Sequence, residues 1–156
     1  MIKDQQFLGG MKTMQDIEVK VLSSKNGEKI EARPKQKNLE EICDIILNMD
    51  QKIRFVQIAV RDKTFTKINS GLASTLTPEE TEEYIDASLL RWETRKKLAP
   101  KLGEPIYGIV EYKNGKRITI PVKYGGLIGI TLDPAGFHEV IIKKISEIKD
   151  MINRNL

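Results

Sequence analysis

The stretch Thr77-Pro78-Glu79-Glu80-Thr81-Glu82-Glu83-Tyr84-Ile85-Asp86-Ala87-Ser88-Leu89-Leu90-Arg91-Trp92-Glu93-Thr94-Arg95-Lys96-Lys97-Leu98-Ala99-Pro100 decides how this chain is read. The Thr77 hydroxyl is suited to accept a bond from an open N–H at a helix start, and Glu80 can reach back to the Thr77 N–H. Pro78 falls at the first helical position, where its missing N–H costs nothing. These residues predict a long helix that runs to about Ala99 and stops before Pro100. Ile85, Leu89, Trp92 and Ala99 make one stripe on it, and Tyr84, Ala87, Leu90 and Arg91 widen the contact surface. That is more apolar surface than a single sheet face would cover, which implies a second protein over the excess.

Upstream, Asn38-Leu39-Glu40-Glu41 fits a capping box, with Asn38 as N-cap and Glu41 reaching back. Leu39, Ile42, Cys43, Ile46 and Met49 recur at helical spacing behind it. Ile53-Arg54-Phe55-Val56-Gln57-Ile58-Ala59-Val60 is a nearly continuous apolar run of strand length, predicting a central strand buried on both faces. Residues 64–70 alternate and predict an antiparallel neighbour. Downstream of the long helix, residues 106–112 and 117–122 read as two strands joined by the Asn114-Gly115 turn. Pro121 places the end of the second at an edge or bulge. Tyr124-Gly125-Gly126 turns the chain into a fifth strand over 127–132. Asp133-Pro134 is expected to open the last helix as N-cap and N1, with Val140, Ile141, Ile145, Ile148 and Ile152 as its buried face.

The order from residue 38 is α-β-β-α-β-β-β-α. This predicts an α/β protein of the α+β type, a five-stranded antiparallel sheet with helices packed on it. Residues 1–37 are expected to be an extension carrying a β-hairpin. In it residues 16–22 alternate, Asn26-Gly27 forms the turn, Ile30 and Ala32 make a short return strand, and Pro34 ends it. Residues 38–156 form the main domain. A lone two-stranded hairpin is marginal in water, so this one should dock, pair with a partner's sheet, or stay partly mobile.

Composition narrows the function. The chain has 156 residues, 40% hydrophobic and 31% charged, inside the globular range. No apolar run approaches the ~18 residues of a membrane span. The start, Met1-Ile2-Lys3-Asp4-Gln5-Gln6, lacks a secretory apolar region, so a cytoplasmic location is expected. One cysteine excludes an internal disulfide, and one histidine leaves little for zinc or for Ser-His-Asp chemistry. The phosphate loop pattern GxxxxGK[ST] is absent. Gly125-Gly126-Leu127-Ile128-Gly129 leads into a strand, so it reads as a tight turn instead of a phosphate cradle. The run Pro134–His138 opens the last helix, but Asp133 at its cap would repel an anion. His138 reads as an ordinary half-buried or exposed side chain. The pairs Glu79-Glu80 and Glu82-Glu83 suit a helix start. Cys43 and Trp92 read as core. No catalytic residue, metal site or cofactor is expected, and the chain is read as no enzyme.

The net charge of +4 is mild. The densest basic stretch, Arg91, Arg95, Lys96, Lys97 and Lys101, sits at the end of the long helix. It is first a solvated face suited to the helix dipole. Its second reading is a contact for an anion or nucleic acid.

Several local features carry a resemblance. These are Ile53-Arg54-Phe55, Leu76-Thr77-Pro78-Glu79-Glu80, the run from Arg91 to Arg95, and Tyr107 to Tyr112 before Ile118-Thr119-Ile120-Pro121. With the element order, they resemble roadblock domains within the profilin-like group that also includes longin domains. They are also similar to small uncharacterised proteins of ammonia-oxidising archaea. The resemblance covers roughly residues 38–152 and none of its motifs is chemical. Roadblock domains typically dimerise through the central helix and the following strand, and many bind small Ras-like GTPases. Carried over, this implies a homodimer surface of Tyr84, Ala87, Leu90 and Arg91 with Tyr107, Ile109 and Glu111. The expected function is a non-enzymatic interaction or regulatory module. The alternatives are a PAS-like small-molecule sensor, or weak nucleic-acid binding at the basic helix end.

Overall fold

The computed structural model describes residues 21–23, 29–31, 37–71 and 76–156. The chain divides into two compact units, Met1–Lys37 and Asn38–Leu156. In the first, β1 (Val21–Ser23) pairs antiparallel with β2 (Lys29–Glu31), Leu22 opposite Ile30. The two strands expected of the hairpin are therefore paired. Residues 16–20, the Asn26-Gly27 turn, Ala32 and Pro34 lie outside the described residues.

The second unit runs α1 (Leu39–Leu47), β3 (Ile53–Val60), β4 (Lys63–Ile68), α2 (Pro78–Lys96), α3 (Ala99–Leu102), β5 (Gly108–Tyr112), β6 (Gly115–Pro121), β7 (Leu127–Leu132) and α4 (His138–Arg154). A 3-10 turn over Lys123–Gly125 joins β6 to β7. The five strands form one sheet in the order β4-β3-β7-β6-β5, every neighbour antiparallel. The expected five-stranded antiparallel sheet with helices is present.

Register sorts the side chains onto two faces. Val56, Ile58, Ile118, Ile120, Ile128 and Ile130 share one face and are all buried. Helix α1 lies on this face near β3 and β4, where Lys67 of β4 bonds Glu40 at 2.9 Å. Helix α4 is tied to the end of α1 by Lys144 Nζ donating to the Met49 carbonyl at 3.0 Å, and it buries Ile141, Ile145 and Ile152. This aliphatic layer is the main core, each fully buried Leu or Ile side chain contributing roughly 1.5–3 kcal/mol. The opposite face carries Phe55, Gln57, Ala59, Arg117, Thr119, Leu127, Gly129 and Thr131. Helix α2 lies over that face.

Both caps form. Asn38 Oδ1 accepts from the Glu41 N–H at 2.7 Å. Thr77 Oγ1 accepts from the Glu80 N–H at 3.1 Å while Glu80 Oε2 accepts from the Thr77 N–H at 2.9 Å. Three expectations are corrected. Helix α2 ends at Lys96, because the N–H groups of Lys97 and Leu98 tighten onto the carbonyls of Thr94 and Arg95 three residues back. Pro100 then stands in the first turn of the separate α3, where a proline ring is accommodated. Asp133 does not cap α4. Its Oδ1 accepts from the Ala135 N–H at 3.0 Å and its Oδ2 from Arg54 Nη2 at 2.7 Å, which holds a turn. Those two bonds, the Ala135 N–H first, hold the Asp133 carboxyl below its ordinary range. The helix begins at His138 with Phe137 as N-cap. Val140 accordingly faces outward at 44% exposure, and Met151 joins Ile141, Ile145 and Ile152 in the buried face.

Candidate functional site

Helix α2 is held to the sheet by few groups. Ile85, Ser88 and Trp92 are its buried residues, and Ile85 and Trp92 cluster with Ala59 and Leu127, with Leu89 packed against them. Trp92 Nε1 donates to Thr119 Oγ1 at 3.0 Å inside this contact. Gly108 marks how closely the helix approaches β5: a Cβ there would stand 3.0 Å from Arg95 Nη1 and 3.1 Å from Thr119 Oγ1. The apolar excess expected on α2 comes down to Leu90, 70% exposed, with Ala87 exposed beside it and Tyr84 half-buried. Most of the excess lies in the chain that follows. Leu98, Leu102, Ile106, Tyr107, Val110 and Tyr112 are all exposed, between 44% and 79%.

That segment leads into a sheet edge. Among the described residues β5 pairs with β6 alone, as β4 at the other end pairs with β3 alone. The β4 edge carries Lys63 and Lys67, the residue type that discourages another strand from adding. β5 reads Gly-Ile-Val-Glu-Tyr and has no lysine. Ile109 and Glu111 point to the α1 face, opposite Ile118 and Lys116, and Glu111 lies 3.8 Å from Lys116 Nζ. Val110 and Tyr112 share the α2 face. Tyr107 precedes the strand, 46% exposed. Tyr107 thus lies just before the edge strand, and Ile109 and Glu111 on it face the side of the sheet opposite to α2, the helix that carries Tyr84, Ala87, Leu90 and Arg91.

Beneath α2 is a polar layer that sequence reasoning missed. Arg117 is only 6% exposed. Its guanidinium stacks on the Tyr84 ring at 4.3 Å and lies 5.4 Å from the Phe55 ring, and Nη1 donates to Thr131 Oγ1 at 2.6 Å. Burial pulls the Arg117 pKa down, and the phenols of Tyr84 and Tyr112 oppose that pull. Burial, then the Tyr84 phenol, pushes the Tyr112 hydroxyl up. The sequence does hold a signal for this layer. Arg117 and Thr119 alternate with Ile118 and Ile120, so an arginine and a threonine share one face of an interior strand.

The basic helix end is partly engaged. Arg91 Nη2 donates to Ser88 Oγ at 2.9 Å, Arg95 stacks 5.1 Å from the Trp92 ring, and Lys96 pairs with Glu93 at 3.1 Å. Lys97 and Lys101 are exposed. His138 Nε2 lies 3.1 Å from Glu139 Oε1. Cys43 is fully buried, and burial followed by the Asp44 carboxylate pushes its thiol up to about 12. The native protein should therefore resist a thiol-specific chromogenic reagent at pH 8 and react fully once unfolded in guanidinium; rapid native reaction would contradict this. Among the described residues no cluster of His, Cys, Asp and Glu suits a metal ion, and no helix is long and apolar enough to cross a membrane.

No protein-family model and no curated protein matches the chain. Solved structures do. The gliding protein MglB from Thermus thermophilus superposes with a TM-score of 0.59 at 11% identity, over 74% of this chain and 85% of that one. A Roadblock/LC7 domain from Streptomyces avermitilis gives a TM-score of 0.56 at 9% identity, over 76% of this chain and 97% of that one. With the strand order and helix placement above, these likenesses show that the chain contains a roadblock-type fold.

Proposed function

We propose that this protein is a non-enzymatic interaction module. It works as a homodimer joined through the outer side of α2 and the β5 edge, and the pair of subunits binds a regulatory partner in the cytoplasm. A small Ras-like GTPase is the partner class, on the strength of the resemblance to roadblock domains. The observation that carries the reading is the β5 edge: unpaired among the described residues, free of lysine, and continuous with the exposed run from Leu98 to Tyr112. An edge of this kind is a template for a second strand.

The charge order along α2 supports a second copy as the first occupant. Glu79, Glu80, Glu82, Glu83 and Asp86 fill the first half, while Arg91, Arg95 and Lys96 lie in the second. A two-fold axis perpendicular to α2 would set two such helices antiparallel, acidic half against basic half. Crossing at Ala87 would bring Leu90 beside the partner's Tyr84, and Arg91 and Arg95 beside the partner's Glu83 and Glu79. Light scattering behind size exclusion should give twice 17.8 kDa at micromolar concentration. Raising salt from ~0.05 to ~0.5 M should weaken the dimer by about tenfold, because exposed charges are screened within ~10 Å at 0.1 M. A monomer at every concentration, in low salt, would remove the reading.

A further inference from the structure

The link between α2 and β5 carries bulky aliphatic side chains that stay mostly in water. Helix α3 is a single turn and buries no residue. The Leu102 N–H donates to the Leu98 carbonyl at 2.9 Å, so these two leucines stand side by side at i, i+4 spacing. Leu98 is 56% exposed, and Leu102, at 79%, is the most exposed large hydrophobic among the described residues. Gly103 ends the turn with φ +82°, and a Cβ there would meet no described atom within 4 Å. Ile106 follows at 69% exposure. The segment therefore stands out as a knob.

Cations run beside these leucines. Residues 95–106 hold Arg95, Lys96, Lys97 and Lys101 against one acid, Glu104. Arg95 lies on the Trp92 ring and Lys96 pairs with Glu93. Lys97 and Lys101 are exposed, and among the described residues neither forms an ion pair. Each stands one position before a leucine, so the turn that aligns Leu98 with Leu102 sets the two lysines in a neighbouring row. That combination decides the kind of surface that fits. Protein interface cores are depleted in lysine, because burial strips an ammonium of its water. A bilayer interface takes both rows. Leucines enter the boundary between headgroups and acyl chains, while lysine stems lie along apolar surface and keep their heads among lipid phosphates.

We propose that the α3 tip, Leu98 and Leu102 flanked by Lys97 and Lys101, docks this protein on the surface of an anionic lipid bilayer. The contact is peripheral, since no helix among the described residues is long and apolar enough to cross. Two leucines alone hold a bilayer weakly. Negative headgroups strengthen the hold by about fivefold for each lysine brought to the surface. The proposal goes beyond the homodimer reading, which rests on the outer side of α2 and the β5 edge. Molecular mass measured on the same samples keeps the two apart.

The test floats the full chain with excess vesicles of phosphatidylcholine, alone or with ~30% phosphatidylserine, in ~0.1 M salt. Wild type should partition about tenfold or more strongly onto the serine-containing vesicles, and that gain should fall several-fold at ~0.5 M salt. Leu102→Glu should cut partitioning onto them about tenfold with Tm unchanged, because Leu102 holds nothing in the core. This dependence on leucine tells lipid docking from plain attraction to phosphate. Lys97→Glu combined with Lys101→Glu should erase the difference between the two lipids. Phe137→Glu, an equally bulky exposed site on another loop, should bind like wild type. Equal or absent binding to the two vesicle types overturns the proposal, as does a Leu102→Glu protein that floats like wild type. A Leu102→Glu protein whose mass halves in light scattering also overturns it, since a second copy then covers the tip. A monomeric wild type that still floats with the charged vesicles removes the homodimer reading and leaves this one standing.

Discussion

Trp92→Ala should lower the unfolding free energy by about 3–5 kcal/mol, the range for removing a buried aromatic side chain. The ring is 2% exposed and is the largest group holding α2 to the sheet. Its loss opens a cavity against Ala59 and Leu127 and strips the partner from Thr119 Oγ1 at 3.0 Å. It also removes the surface on which Arg95 stacks at 5.1 Å. Trp92→Phe retains most of the contact and loses the indole N–H, so about 1–2 kcal/mol is expected, of which ~1 is the hydrogen bond. Leu90→Ala, at 70% exposure, should fall within about 0.5 kcal/mol of wild type. Guanidinium unfolding curves on the three variants decide the matter. A cost below about 1 kcal/mol for Trp92→Ala would mean that α2 is held by something other than this ring.

The thin hold of α2 explains which parts of the fold are legible in the sequence. Features set by neighbours along the chain can be read directly: the reciprocal Thr77–Glu80 cap, the Asn38 cap and the fifth strand over Leu127–Leu132. The aliphatic face is legible as well, because alternation alone puts Ile118, Ile120, Ile128 and Ile130 on one side. The corrections fall where two local rules compete. Asp133-Pro134 has the composition of a cap and N1, but Arg54, 79 positions away in sequence, holds the Asp133 carboxylate in a turn instead. Pro100 looks like a stop and is the start of α3. The polar layer escapes for a different reason. The run Ile53–Val60 reads as almost uniformly apolar, which conceals that Gln57 and Phe55 face α2 while Val56 and Ile58 face α1. Pairing Gln57 with Arg117 needs the β3-β7-β6 order, which no local pattern carries.

Leu90→Glu should turn the proposed dimer into a monomer, weakening association by about 100-fold, or ~3 kcal/mol. Leu90 lies near the middle of α2 and has no role in its own subunit's core, so folding should be unchanged. In an antiparallel crossing at Ala87 the new carboxylate would be buried beside the partner's Tyr84, with no cation placed to receive it. Phe137→Glu is the matched control. Phe137 is equally exposed, at 70%, but sits on the β7–α4 loop and not on α2, so the dimer should survive that change if Leu90 lies at its centre. If Phe137→Glu dissociates the dimer and Leu90→Glu does not, the contact lies at the start of α4. The helix register can be checked separately. Arg91→Glu alone should weaken the dimer, and adding Glu83→Arg should restore much of the loss, since the pair would then meet with its signs exchanged. Two losses that simply add would place those residues apart, and the crossing point would have to move along the helix.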